Sequence, residues 1–155
     1  MRPGPRAKRT HRLALTVQFA SRSVQLPSPR QLRRWARAAL AQDAEVTLRI
    51  VNQAEGQRLN REFRGKNYPT NVLTFAYPDQ RPLAGDIVLC APVVQREARA
   101  QQRSLKAHYA HLVVHGLLHL QGYDHQRAAE ARRMQSLESE IVTQLGYPDP
   151  NATLA

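Results

Sequence analysis

Five of the chain's six histidines fall between His108 and His125, and three of those are spaced to hold one metal ion. The stretch reads His115-Gly116-Leu117-Leu118-His119-Leu120-Gln121-Gly122-Tyr123-Asp124-His125. On a helix, His115 and His119 lie one above the other, so both imidazoles can reach a single ion at about 2.0–2.1 Å. Gly122 tolerates positive φ and lets the chain turn sharply, which can return His125 as a third ligand. Three neutral imidazoles leave one tetrahedral position open, the mark of a catalytic rather than a structural zinc site. A water in that position has its pKa drawn down to about 7, which supplies hydroxide for hydrolysis at neutral pH. Closed structural sites draw on cysteine, and this chain has only Cys90.

Two histidines at helical spacing alone often do no more than decorate a helix surface; the third, beyond a glycine turn, makes the pattern specific. The spacing H-x-x-x-H-x-x-G-x-x-H is that of the metzincin proteases. Zinc proteases, however, carry a glutamate base directly after the first histidine, and here Gly116 stands there. That argues against peptide hydrolysis, and it is expected to clear room beside the metal for a phosphodiester. His111 and His115 form a competing pair, ranked lower because no turn recruits a third partner. His108 reads as an ordinary helix residue. Asp124 either orients a ligand imidazole or caps the next helix.

The elements that must position these residues are legible from hydrophobic periodicity. Leu13, Leu15, Val17 and Phe19 alternate as in a half-buried strand, as do Val46, Leu48 and Ile50. Between them Ser28 and Pro29 open a helix whose apolar face holds Leu32, Trp35, Ala36, Ala39 and Leu40. A short helix is expected over about 54–63, a loop from Gly65 to Thr70, a strand over 72–77, a polar linker over 78–84 and a strand over 87–91. Helices follow over about 92–101, from a Ser104 cap to about Gln121, and over 126–145. The last has Ala129, Met134, Leu137, Ile141 and Leu145 as its expected inner face. The result is an α+β (mixed α/β) fold: one small mixed sheet of about four strands with about five to six helices. The metal site lies on a late helix and the turn after it. Residues 1–12 read as a basic, flexible tail and 13–150 as one domain.

Composition narrows the partners. The chain has 155 residues and a net charge of +11, with lysine only at Lys8, Lys66 and Lys106, so arginine carries nearly all the positive charge. This favours polyanions, and arginine suits bidentate phosphate binding; a basic solvated surface fits the charge as well. Cys90 sits in an apolar run as a core thiol, and no internal disulfide can form. No apolar run reaches the ~20 residues of a membrane span, and the N-terminal stretch does not fit a signal peptide. A cytoplasmic location is therefore expected, with no membrane partner.

The block from His115 to His125 fits the pattern H-G-x-L-H-L-x-G-Y-D-H at every specified position, and in this it resembles the YbeY family of endoribonucleases. Leu59-Asn60-Arg61-Glu62-Phe63-Arg64, Thr70-Asn71-Val72-Leu73-Thr74-Phe75 and Gly85-Asp86-Ile87 are similar to the family too, with Thr74 where serine is typical. The likeness runs from about Val46 to Pro150. It implies one Zn2+ per chain on His115, His119 and His125, and places the family's functional arginine on Arg64. It further implies a single-strand-specific endoribonuclease acting in 16S ribosomal RNA 3′-end maturation and ribosome quality control. The implied partners are ribosomal RNA and ribosomal subunits, with ribosomal proteins as further candidates. Two alternatives stay open: a non-catalytic, zinc-stabilised ribosome-binding assembly factor, and another metallohydrolase. Whether water or the RNA 2′-hydroxyl attacks is also open.

Overall fold

The structure, a computed structural model, describes residues 11–123 and 126–152. Most of the basic N-terminal segment lies outside the described residues, as do Asp124, His125 and the last three positions. The element order is β1 (Leu13–Ala20), α1 (Pro29–Ala38), β2 (Ala44–Val51), α2 (Gln53–Arg64), β3 (Val72–Tyr77), β4 (Leu83–Cys90), α3 (Ala91–Ala100), α4 (Leu105–Leu120) and α5 (Ala128–Gln144). This is the expected mixed α/β architecture, with four strands and five helices among the described residues.

The four strands form one sheet in the order β1-β2-β4-β3. β1, β2 and β4 run parallel, and β3 pairs antiparallel with β4 at the edge. Strand periodicity decides which side is buried. Val46, Leu48 and Ile50 of β2 join Ile87 and Leu89 of β4 in the main core, against Trp35 of α1 and Tyr109, Val113 and Leu117 of α4. The opposite side chains, Val51, Leu73, Val88 and Cys90, form a smaller cluster with Leu59 of α2 packed against it. The Cys90 thiol is buried there, and burial pushes its pKa up, in keeping with an inert core thiol.

Helix ends follow the sequence signals. Ser28 accepts from Gln31 N while the Gln31 side chain accepts from Ser28 N, a reciprocal capping box ahead of Pro29. Ser104 accepts from Ala107 N to start α4. At the other end of α4, Gly122 has φ +99°, its N–H donates to His119 O, and Tyr123 N–H donates to Leu118 O. These are the paired bonds of a Schellman motif, so the glycine turn expected after His119 is present.

Expectations about the start of β4 and about Gly116 needed correction. Leu83 and Ala84, expected in the linker, belong to β4, which also takes in Gly85 and Asp86. Gly116 faces Ile87 of β4: a Cβ there would sit 3.1 Å from Ile87 Cδ1 and 3.2 Å from its Cγ2. The missing side chain therefore lets α4 lie close on the sheet and does not open space beside the histidines. Gly116→Leu is expected to lower stability by about 1–3 kcal/mol through overpacking, read as a reduced denaturant midpoint at unchanged m.

Candidate metal centre and cleft

One side of α4 faces a cleft of about 810 Å3. His111, His115 and His119, spaced one helical turn apart, supply one wall. Glu138, Met134 and Gln135 come from α5 after the chain reverses, and Arg64, Lys66, Tyr68 and Thr70 come from the end of α2 and the loop beyond it. The structure thus brings three of the four expected site residues, Arg64, His115 and His119, to one cleft. The fourth, His125, is not among the described residues.

The rings of His115 and His119 stand 4.5 Å apart at 76°, close enough to turn a nitrogen each toward one ion. The next ring up the helix, His111, is 6.3 Å from His115. What fixes His115 is a residue the sequence reading passed over. Glu138 is buried, at 3% exposure, although it is an acid on a helix face turned to the core. It accepts from His115 Nδ1 at 2.5 Å and from His111 Nε2 at 3.0 Å, with Asn151 Nδ2 3.4 Å from the same oxygen as His111. Burial alone would push this carboxyl up, but the hydrogen bonds from the two imidazoles and their charge outweigh it and hold its pKa at about 2. An ionised carboxylate only accepts, so His115 turns an Nδ1–H to it, and the neutral ring in that tautomer has its lone pair on Nε2. Histidines that bind metal are commonly oriented in this way.

His111, His115 and Glu138 place ligand atoms within 4.8 Å of one another, a cluster that could hold a metal ion. Two donors on one tetrahedral ion at about 2.0–2.1 Å lie roughly 3.3 Å apart. The 3.0 Å separation of Glu138 from His111 is that of a hydrogen bond, and the 2.5 Å to His115 is shorter still; both fall below the spacing of two ligands on one ion. His111 is engaged on both sides, since the Arg103 guanidinium approaches its Nδ1 at 3.4 Å and also donates to the Pro150 carbonyl. The donor set fits a zinc ion: imidazoles on adjacent turns, one with its tautomer set by a buried carboxylate.

The neighbouring motif residues divide between cleft and scaffold. Asn71 lines the cleft and donates to Glu97 at 3.0 Å, and Glu97 in turn bonds buried His108 at 2.9 Å. His108, read from sequence as an ordinary helix residue, thus anchors the wall that carries Asn71. Asp86 accepts from the Tyr77 hydroxyl on the other side of the sheet, and Gly85 is where Leu120 and the Phe75 carbonyl press on β4. Both are structural.

A family model described as "Endoribonuclease YbeY" matches residues 17–146. The chain belongs to the YbeY family. Its relatives include "Endoribonuclease YbeY" of Nitrosomonas europaea, 59% identical over 89% of this chain and 84% of that one. The protein of the same name from Methylobacillus flagellatus is 58% identical over 90% and 93%. The solution structure of TM1509 from Thermotoga maritima superposes with a TM-score of 0.56 at 22% identity, over 90% of this chain and 99% of that one, which supports the fold alone. YbeY membership and the histidine–glutamate cluster together support a metal-associated enzyme. No described helix is long and apolar enough to cross a membrane.

Proposed function

We propose that the chain is a zinc-dependent endoribonuclease that cuts single-stranded RNA. Its role would be in 16S ribosomal RNA 3′-end maturation and ribosome quality control, on ribosomal subunits in the cytoplasm. One observation carries this reading: Glu138 holds His115 by Nδ1 in a cleft that Arg64 and Lys66 also line. The family's name supplies the substrate class. In this reading His115, His119 and His125 hold one zinc ion, with His125 assigned through the family pattern. When bound, zinc supplies Lewis acidity and a water of lowered pKa.

The chain's own residues do the remaining work. Arg64 donates to two phosphoryl oxygens and offsets the charge that builds there in the transition state. Lys66 neutralises an adjacent phosphate. Glu138 keeps His115 in one tautomer and one orientation. Residues 13–150 form the catalytic domain.

The test is cleavage of single-stranded RNA by protein of known metal content, before and after chelation and after zinc is restored. Activity should disappear with the metal and return with it. Arg64→Ala, fully loaded, should lose about 100-fold in kcat. Cleavage at the original rate after complete metal removal would sink the reading. A 2′,3′-cyclic phosphate on the product would identify the 2′-hydroxyl as nucleophile.

A second reading puts the ion between His111, His115 and Glu138, whose ligand atoms cluster within 4.8 Å. It ranks lower because Glu138 sits at hydrogen-bond distance from both rings.

A further inference from the structure

The loop between α2 and β3 carries an aromatic ring that neither core cluster uses. Tyr68 is 55% exposed and lines the cleft beside Arg64 and Lys66. An exposed tyrosine on a loosely held loop would mean little, but this loop is fastened at several points. Asn60 of α2 is 2% exposed, and its Nδ2 donates to the Tyr68 carbonyl at 2.7 Å. The Lys66 N–H donates to Asn60 O at 3.3 Å, and Gln57 Nε2 donates to the Asn67 side chain at 3.2 Å. Gly65, at φ +68°, turns the chain out of the helix. Pro69 follows Tyr68 and steers it toward extended backbone. A buried polar side chain is thus committed to holding the Tyr68 backbone while the ring itself is left to solvent.

We propose that Tyr68 is a substrate-binding residue that stacks on an unpaired nucleobase next to the phosphates met by Arg64 and Lys66. The inference rests on the ribonuclease reading above and names what selects single strands within it. Every base has a π face, so one ring on a fixed loop recognises unpaired RNA without reading its sequence. In a duplex both faces of each internal base are covered by its neighbours, and a lone side chain at a cleft rim has nothing to stack on. Arg64 and Lys66 line the same cleft as the ring and supply cations for the strand's phosphates. His111, His115 and His119 line this cleft too, so a strand held by the ring runs past the histidines.

The test uses the full-length, metal-loaded protein and a fluorescein-labelled 2′-O-methyl RNA oligonucleotide, shown intact after titration. Fluorescence anisotropy gives the affinity for the single strand and for its duplex. Tyr68→Ala should weaken single-strand binding about 10-fold or more, with little effect on the duplex. Tyr68→Phe and Tyr68→Trp should bind as the parent does, because the face rather than the hydroxyl makes the contact. An oligonucleotide with one abasic position at the stacked site should lose the same factor with the parent and almost nothing further with Tyr68→Ala. The proposal is overturned if Tyr68→Ala binds like the parent, if single strand and duplex weaken equally, or if Tyr68→Phe loses as much as Tyr68→Ala. The underlying reading is judged separately by the unaltered protein. If that neither binds nor cuts single-stranded RNA, both fall; if it does both while Tyr68→Ala is indifferent, only the stacking role falls.

Discussion

Glu138→Gln is expected to bind zinc about 10- to 100-fold more weakly than the parent while keeping its fold. The carboxylate accepts from two imidazole N–H groups at once, His115 Nδ1 at 2.5 Å and His111 Nε2 at 3.0 Å. Glutamine has the same shape but one acceptor oxygen and one NH2, so one of those N–H groups meets a donor. Either a ring rotates or His115 moves its proton to Nε2, and in the second case it no longer presents a lone pair there. The loss appears in competition with a chromophoric zinc chelator. Thermal or denaturant unfolding of the metal-free protein should change by only about 1–2 kcal/mol. Glu138→Ala should cost more stability, about 2–3 kcal/mol, because both half-buried rings then lose their acceptor. Unchanged zinc affinity in Glu138→Gln would remove the orienting role. Complete loss of binding would make Glu138 a ligand.

That this carboxylate escaped the sequence reading has a physical reason. The inner face of α5 was traced through Ala129, Met134, Leu137, Ile141 and Leu145, the apolar row. The buried line is Met134, Glu138 and Val142, while Ala129 is exposed and Leu137, Ile141 and Leu145 are half-buried flanks. An acid flanked at four residues on either side by buried apolar side chains is a signal of a paired, buried charge. The pairing partners, however, sit more than 20 residues away on another helix, and no local pattern names them. Gly116 shows the same limit. Its position after His115 is plain in sequence, but its close approach to Ile87 exists only once α4 lies on the sheet. β4 began earlier than expected because Gly85-Asp86 looks like a turn, yet ladders to β2 on one side and β3 on the other hold it extended. What depends on local chemistry was readable: the Ser28 and Ser104 caps, the Gly122 turn and β3 over 72–77. The cleft itself was legible only in part, since Arg64 came from family likeness and the stabilised loop with Tyr68 came from contacts between α2 and residues beyond it.

His119→Ala and His111→Ala should part company, and the contrast locates the ion. Removing His119 takes away the ring 4.5 Å from His115, and in the proposed site it deletes one of three protein ligands. Stoichiometric zinc should be lost, and cleavage of single-stranded RNA should fall at least about 100-fold, more than the loss of an orienting partner gives. The residue is half-buried at the cleft, so the truncation leaves no large void in the core and the fold should persist. Removing His111 costs one hydrogen bond to Glu138 and the approach of Arg103, but leaves the His115–Glu138 bond in place. Zinc should therefore remain, weakened by no more than about 10-fold. Elemental analysis after gel filtration, circular dichroism and cleavage rates on the same samples read all three quantities. The reverse pattern, with metal lost in His111→Ala and kept in His119→Ala, would move the ion to the His111–His115–Glu138 cluster. An unfolded His119→Ala would instead make the metal a structural element of an RNA-binding factor, because a ligand needed only for catalysis leaves the apo fold standing.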